Sequence, residues 1–466
     1  MNLRTTLVLL GIALALGGYV WFGELRGKER QERAERGARG LGELARAEWT
    51  ALELPVSDGG TARLEAGGGE WALASPVRSE TDAATVERIL DALEGLDYET
   101  EIERVPEDLA PFGLGDAGRR ATLRAGERSL SLVFGGGTPV GSGRYVQVSS
   151  RPGRVFNVSS ASVASLEPSL LSLRDKRIVR DDPESVRELA VRARGEAEIR
   201  MVREQGGWSL LAPLAGRADG RRIERLLEDL HFARASGFVD EPGEGSGFGL
   251  DPAEIEVEWV RADGSGTLSL GRSGDRAYAR VSGRATVFEL PDRIVSGVPR
   301  EVFAYRYKRV FELDPAEVRR LELRFPREDL GYGFERDDSR WSADDEALSV
   351  DSLKLADLVY ALESLDATAV EPEPHALGRL GLEPARVRVT AFAAGGEELG
   401  WLELGDPDSE RGLPARGSLS ERVWRVPGEL GEDVPLGLDV FRSDFAEPPD
   451  AGGEPAGEEG EGGAAS

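Results

Sequence analysis

The sequence predicts an α+β protein: a single N-terminal transmembrane helix followed by three tandem repeats, each an antiparallel sheet with one packed helix. Three observations predict it. A phrase recurs, "WALASPVRSETD" from Trp71 and "WSLLAPLAGRAD" from Trp208, sharing the tryptophan, a proline five residues on and an aspartate eleven residues on. Each phrase leads into apolar residues at helical spacing and then into short runs of alternating residues separated by turn formers. The chain also opens on a long uncharged stretch.

That stretch, "LVLLGIALALGGYVWF" from Leu7 to Phe22, has no charged residue and ends in three aromatics of four. With its flanking threonines it is long enough to span a bilayer at about 1.5 Å per residue. Leu7, Leu10, Ile12, Leu14 and Leu16 would face lipid, and Tyr19, Trp21 and Phe22 would sit at the interface. Bulky aromatics stand where a signal peptidase would want small residues, so the segment is an anchor (1–23) rather than a cleaved leader. A charged helical stalk (24–48) follows, in which Arg26, Lys28, Arg30, Arg33, Arg36 and Arg39 alternate with acids. Counted strictly, those bases would keep the bulk of the chain in the cytoplasm.

The repeats occupy 49–182, 183–312 and 313–445. In the first, Trp71 is followed by a helix, "FGL" around Gly113, "LVFG" ending at Gly135, Tyr145, "VF" ending at Phe156, and "LRDKRI" around Arg174. In the second, Trp208 is followed by the same landmarks in the same order: "FGL" around Gly249, "LSLG" ending at Gly271, Tyr278, "VF" ending at Phe288, and "YRYKRV" around Arg306. Trp71 to Gly113 is 42 residues and Trp208 to Gly249 is 41, while Phe156 to Arg174 and Phe288 to Arg306 are both 18. The third copy keeps Trp341, "LGL" around Gly381, "LELG" ending at Gly405 and "VW" ending at Trp424, with Arg442 again 18 residues beyond. It lacks the proline and the mid-repeat tyrosine.

Each helix is justified by its apolar stripe: Val86, Ile89, Leu90, Leu93 and Leu96; then Ile223, Leu226, Leu227 and Leu230; then Leu355, Leu358, Val359, Leu362 and Leu365. Asp82, Asp219 and Asp351 stand where an N-cap would accept orphan amides. Around Trp208, "EIRMVREQGGWSLLAP" places strand-like runs either side of a Gly-Gly turn, which predicts a hairpin. The last segment (446–466) carries six acids and no base with little apolar side chain, which predicts a disordered acidic tail.

The anchor, the W-x-L-x-x-P phrase, the Asp-capped helix, the "FGL" element and the Tyr and "VF" strands together resemble the bacterial family known as domain of unknown function 4340. The resemblance covers nearly all of the chain after the anchor and rests on the order and spacing of motifs that are weak singly. It implies one N-terminal membrane helix, an ectodomain outside the cytoplasmic membrane, and companionship with an ABC-type export system of the kind linked to gliding motility. It implies no activity. On orientation this outweighs the charge count.

Composition bounds the function. At 466 residues and 40% hydrophobic content the chain can bury several cores. The net charge of −27 argues against nucleic acid as a partner, because phosphate neutralisation needs clustered Lys and Arg. The chain has no cysteine, which removes disulfides, thiolate nucleophiles and Cys-ligated metals, and it has only two histidines, His231 and His375, in different repeats. No P-loop pattern occurs. The run "GGGTPVGSGR" ending at Arg144 reads as a hairpin loop, since no helix follows it. Acid pairs such as Asp251 with Glu254 and Asp314 with Glu317 could serve a hydrolase, yet Asp-Pro beside a strand is a common turn. The expectation is therefore no catalytic, metal or cofactor residues, with Arg174, Arg306 and Arg442 closing each repeat. The expected function is a membrane-anchored, non-enzymatic extracytoplasmic repeat protein, an auxiliary or scaffold component of an ABC-type transport or cell-envelope complex at the cytoplasmic membrane. Its partners would be permease or auxiliary subunits. The alternative is an envelope hydrolase acting on carbohydrate through paired carboxylates.

Overall fold

The computed structural model describes residue 40 and residues 44–102, 108–115, 118–243, 247–363, 365–372 and 376–446. The anchor stretch from Leu7 to Phe22, most of the stalk, His375 and the tail beyond Ala446 lie outside the described residues. No helix among the described residues is long and apolar enough to cross a membrane. At the end of the stalk, Arg46–Glu48 forms one 3-10 turn.

The fold is α+β, built on three antiparallel sheets. The first repeat contributes β1 (Ala51–Pro55), β2 (Thr61–Gly67), β3 (Glu70–Ser75), β4 (Ser79–Glu80), helix α1 (Ala83–Glu94), β5 (Thr100–Ile102), β6 (Arg119–Ala125), β7 (Arg128–Gly137), β8 (Gly143–Val148) and β9 (Val155–Ser159). Their hydrogen-bonded order is β4-β3-β2-β1-β6-β7-β8-β9-β5. The tryptophan strand β3 therefore lies near one edge, and α1 carries the chain across the sheet to the opposite edge. The second repeat follows the same plan with β10 (Glu188–Ala193), β11 (Ile199–Glu204), β12 (Gly207–Ala212), β13 (Gly216–Arg217), α2 (Gly220–Phe232), β14 (Gly237–Val239), β15 (Ile255–Val260), β16 (Ser265–Ser273), β17 (Arg276–Val281) and β18 (Val287–Leu290), in the order β13-β12-β11-β10-β15-β16-β17-β18-β14. The third uses β19 (Arg320–Phe325), β20 (Leu330–Asp337), β21 (Arg340–Ala343), α3 (Ser352–Glu363), β22 (Ala369–Val370), β23 (Val387–Phe392), β24 (Glu398–Leu404), β25 (Leu413–Gly417) and β26 (Ser420–Val426), in the order β21-β20-β19-β23-β24-β25-β26-β22. The short strand that follows the proline phrase, β4 or β13, has no counterpart among the described residues of the third repeat, which also lacks the proline.

The chain divides into two compact units, each described by itself. One comprises Met1–Glu184, Glu228–Val257 and Gly266–Gly297; the other comprises Ser185–Leu227, Glu258–Ser265 and Val298–Ser466. In the first, period-two alternation turns Leu52, Leu54, Ala62, Leu64 and Leu73 to one face of the sheet, where they meet Val86, Ile89, Leu90 and Leu93 of α1. In the second, Leu321, Leu323, Val387, Val389 and Leu402 pack in one cluster with Leu355, Leu358, Val359 and Leu362 of α3, together with Phe441 and Phe445. Each such leucine taken from water contributes about 2 kcal/mol, so these stripes hold helix to sheet.

Candidate functional site

The recurrent residues fall mostly at corresponding places. Trp71 is half-buried, and Trp208 and Trp341 are buried. Each tryptophan strand is tied to the start of the helix that follows: Thr81 Oγ1 donates to the Trp71 carbonyl at 2.7 Å, the Ala218 amide to the Trp208 carbonyl at 3.0 Å, and the Trp341 amide to Ser352 Oγ at 2.8 Å. The aspartates accept helix amides: Asp82 from Thr85 at 2.8 Å, Asp219 from Arg222 at 3.0 Å, and Asp351 from Leu353 at 2.9 Å. Gly113, Gly249 and Gly381 have φ near +65°, at 65°, 68° and 67°. That conformation is costly for any residue with a Cβ, and at Gly249 a Cβ would also overlap the Arg272 carbonyl. The "FGL" turn is thus seated on the glycine strand behind it.

Arg174 and Arg306 sit in connector segments with one hydrogen-bonding scheme. In the first, the Asp82 amide donates to Leu173 O at 2.9 Å, Arg174 bridges to Thr81, and the Ala235 amide donates to Lys176 O at 2.9 Å. In the second, the Asp219 amide donates to Tyr305 O at 2.8 Å, Arg306 bridges to Ala218, and the Ala367 amide donates to Lys308 O at 2.9 Å. Each connector thus laces the helix start of one repeat to the helix end of the next. Arg442 does not belong to this set. In the third repeat the Asp351 amide donates to Phe445 O and Val350 bridges to Ala446, so Ala446 occupies the arginine position and Arg442 is exposed. Phe156 to Leu173 and Phe288 to Tyr305 are both 17 residues, whereas Trp424 to Phe445 is 21. The extra 21 − 17 = 4 residues make about one more turn in the closing helix, Leu438–Asp444, and shift the register.

The side chains around the connectors differ in charge. Arg174 is buried, lies 3.8 Å from the Phe238 ring centroid and grips Asp240 with two bonds of 2.8 and 2.6 Å. Beside it, burial pushes the Asp175 carboxyl up, but hydrogen bonds from Arg177 and the charge of Arg180 hold it below its ordinary range. In the second connector Tyr307 stands at that place, its hydroxyl donating to Glu312 at 2.9 Å and its ring 3.8 Å from the Arg217 guanidinium. Burial pushes the neighbouring Tyr305 phenol well up.

Opposite the helices, the sheets present charged faces. In the first, Glu53 and Arg63 stand across from each other and pair at 3.1 Å, and Arg63 also reaches Glu65 at 2.9 Å. Within the second unit, Arg192 pairs with Glu198 at 3.0 Å and Glu258 at 2.8 Å. In the third sheet, Glu403 is clamped between Arg388 at 3.2 Å and Arg416 at 2.6 Å, its neighbours on both flanking strands. On the third sheet a cleft of about 600 Å³ is lined by Arg320, Glu322, Tyr332, Arg388 and Glu403. Hydrogen bonding from Arg200 holds the Glu198 carboxyl below its ordinary range, and Arg327 does the same for Asp406. These carboxylates stay ionised.

The remaining candidates are scattered. His231 ends α2 with Nδ1 3.0 Å from the Asp181 carbonyl oxygen and its ring edge-on to Phe232. Glu254 is paired with Arg272, and Asp314 accepts the Ala316 amide at 2.8 Å in a turn. Arg144, at the end of the glycine run, donates to Gly135 O and pairs with Glu167 at 3.0 Å, which closes a hairpin. Among the described residues no group of three or more His, Asp or Glu is placed to hold a metal.

The family model described as "Domain of unknown function (DUF4340)" matches residues 71–244 and again residues 208–350, together more than half of the chain. The chain belongs to the DUF4340 family. The two matches begin on Trp71 and on Trp208, so the DUF4340 pattern starts at the repeated phrase both times. No curated protein and no solved structure matches the chain.

Proposed function

We propose that this DUF4340 protein is a membrane-anchored, non-enzymatic extracytoplasmic repeat protein that serves as an auxiliary or scaffold component of an ABC-type transport or cell-envelope complex. The observation that carries the reading is the repeated arrangement of a sheet with one face buried under its helix and the other open and laddered with cross-strand Arg–Glu pairs. Such pairs in contact with water add little stability, commonly under about 1 kcal/mol each, but their orientation offers charged partners a register. A glycosidase needs a carboxyl kept protonated by a raised pKa. Glu198, Asp406 and Glu371 are driven the other way, which favours docking over proton donation.

The test is isolation of the full chain in detergent after mild crosslinking, with identification of the membrane proteins that accompany it. Recovery of a permease or auxiliary subunit, weakened by reversal of Glu403 to Arg, is the expected outcome. Failure to recover any transporter or envelope subunit would sink the reading. Protease accessibility in intact spheroplasts tests the side of the membrane: a protected repeat region would put it in the cytoplasm, as the stalk charges alone suggest.

A further inference from the structure

Arg174 and Arg306 occupy the same place in their connectors and meet different surroundings. Arg306 is 5% exposed, yet among the described residues no carboxylate or other acceptor reaches its guanidinium; its one side-chain neighbour of note is the Trp424 ring, 5.7 Å away at the centroid. The buried indole Nε1–H of Trp424 also has no acceptor among the described residues. Burial pushes the Arg306 guanidinium down from its ordinary value, and the positive charge of Arg422 pushes the same way. A desolvated charge without a counter-charge is an unfavourable arrangement that a bound anion would relieve.

Strand register explains where the counter-charge went. Phe238 stands opposite Phe288, and Val370 stands opposite Trp424, so Pro372 falls where Asp240 serves Arg174. The adjacent acid, Glu371, is already held by Arg425 at 2.8 Å and by Arg411. The cover differs as well. Ser79 opposite Leu73 corresponds to Gly216 opposite Leu210, and the Ser79 hydroxyl is buried whereas Gly216 is exposed. Arg306 Nη2 lies 3.5 Å from where a Cβ on Gly216 would stand, so the guanidinium reaches the surface at a residue without a side chain.

We propose that Arg306, with the Trp424 indole N–H as a further donor, forms a carboxylate-binding site that opens beside Gly216. A planar guanidinium holds a carboxylate through two parallel bonds, the geometry Arg174 already makes with Asp240. The carboxylate can come from a free small acid or from an acidic side chain of a bound polypeptide. The inference does not depend on the transport reading above.

The experiment follows tryptophan fluorescence and the denaturation midpoint of the full chain in detergent during titration with sodium acetate, sodium glutarate or an oligoglutamate peptide, against sodium chloride at equal ionic strength. A saturable response beyond chloride is expected, weakened about tenfold or more in Arg306→Met, which loses the charge-assisted bonds. Pro372→Asp, which installs a carboxylate at the position of Asp240, should abolish the response with Arg306 intact. Response to acetate or glutarate assigns a free acid, and response to the peptide alone assigns an acidic side chain. No response beyond chloride to any of the three, or an undiminished response in Arg306→Met, overturns the site.

Discussion

The two connectors share a backbone and differ in their charges. In the first, Arg174 finds Asp240, and Asp175 finds Arg177 and Arg180. In the second, Arg306 meets no acid among the described residues, Tyr307 replaces Asp175, and the nearby buried carboxylate, Glu371, is committed to Arg425 and Arg411. The lesson is that backbone hydrogen bonds keep the repeat, so the side chains on them are free to diverge from stabilising pairs to an unsatisfied charge. Paired, such a group adds stability. Unpaired, it is a place for something else to bind.

The comparison can be broken most forcefully at Glu371. Glu371→Gln leaves Arg425, which is 3% exposed, buried without its counter-charge, and should cost about 3–5 kcal/mol in urea denaturation. Next comes the arginine pair itself. Arg174→Met strands Asp240, whose side chain keeps 28% of its exposure, so the loss should be about 2–4 kcal/mol. Arg306→Met removes a charge that has no partner among the described residues and should be neutral or stabilising by about 1 kcal/mol. Equal losses at the two arginines would erase the distinction between the connectors.

Acid sharpens the same contrast by a smaller margin. The Asp175 carboxyl is held low in the folded state, so its stabilisation is present above the ordinary carboxylate range, about pH 4, and is lost as pH falls through the folded value. Asp175→Asn should therefore flatten the acid limb of the midpoint-against-pH curve, whereas Tyr307→Phe in the second connector should leave that limb unchanged. The smallest effect belongs where the repeats agree. Asp82→Ala and Asp219→Ala each remove an N-cap bond and should cost about 1 kcal/mol apiece by the same denaturation assay. A large disparity between them would mean the two helix starts are less alike than their hydrogen bonds.

Much of this plan was legible in the sequence because it depends on local geometry. A cap needs an Asp-type acceptor, a left-handed turn needs glycine, and a helix on a sheet needs a stripe; the residues at 82, 113 and 86–93 report those needs directly. Pairing across repeats was not legible. Arg174 and Asp240 are 66 residues apart, and only the folded chain brings them together. Arg442 was assigned by counting from Trp424, and counting cannot see an added helical turn. The crossing of each helix to the far edge of its sheet also left no local mark, since β5, β14 and β22 are two or three residues long.

The third sheet's missing short strand bears on how the protein avoids sticking to itself. In the first two sheets a two-residue strand covers the tryptophan strand, leaving almost no free backbone for a stranger to pair with. In the third, β21 is itself the border, with no strand beyond it among the described residues and only its Trp341 amide taken, by Ser352 Oγ. Asp344, Asp345 and Glu346 follow immediately. Asp344 is paired with Arg320 at 2.7 Å, and the two acids after it repel a second copy of the same border, so the segment without a covering strand carries charges that discourage aggregation in its place.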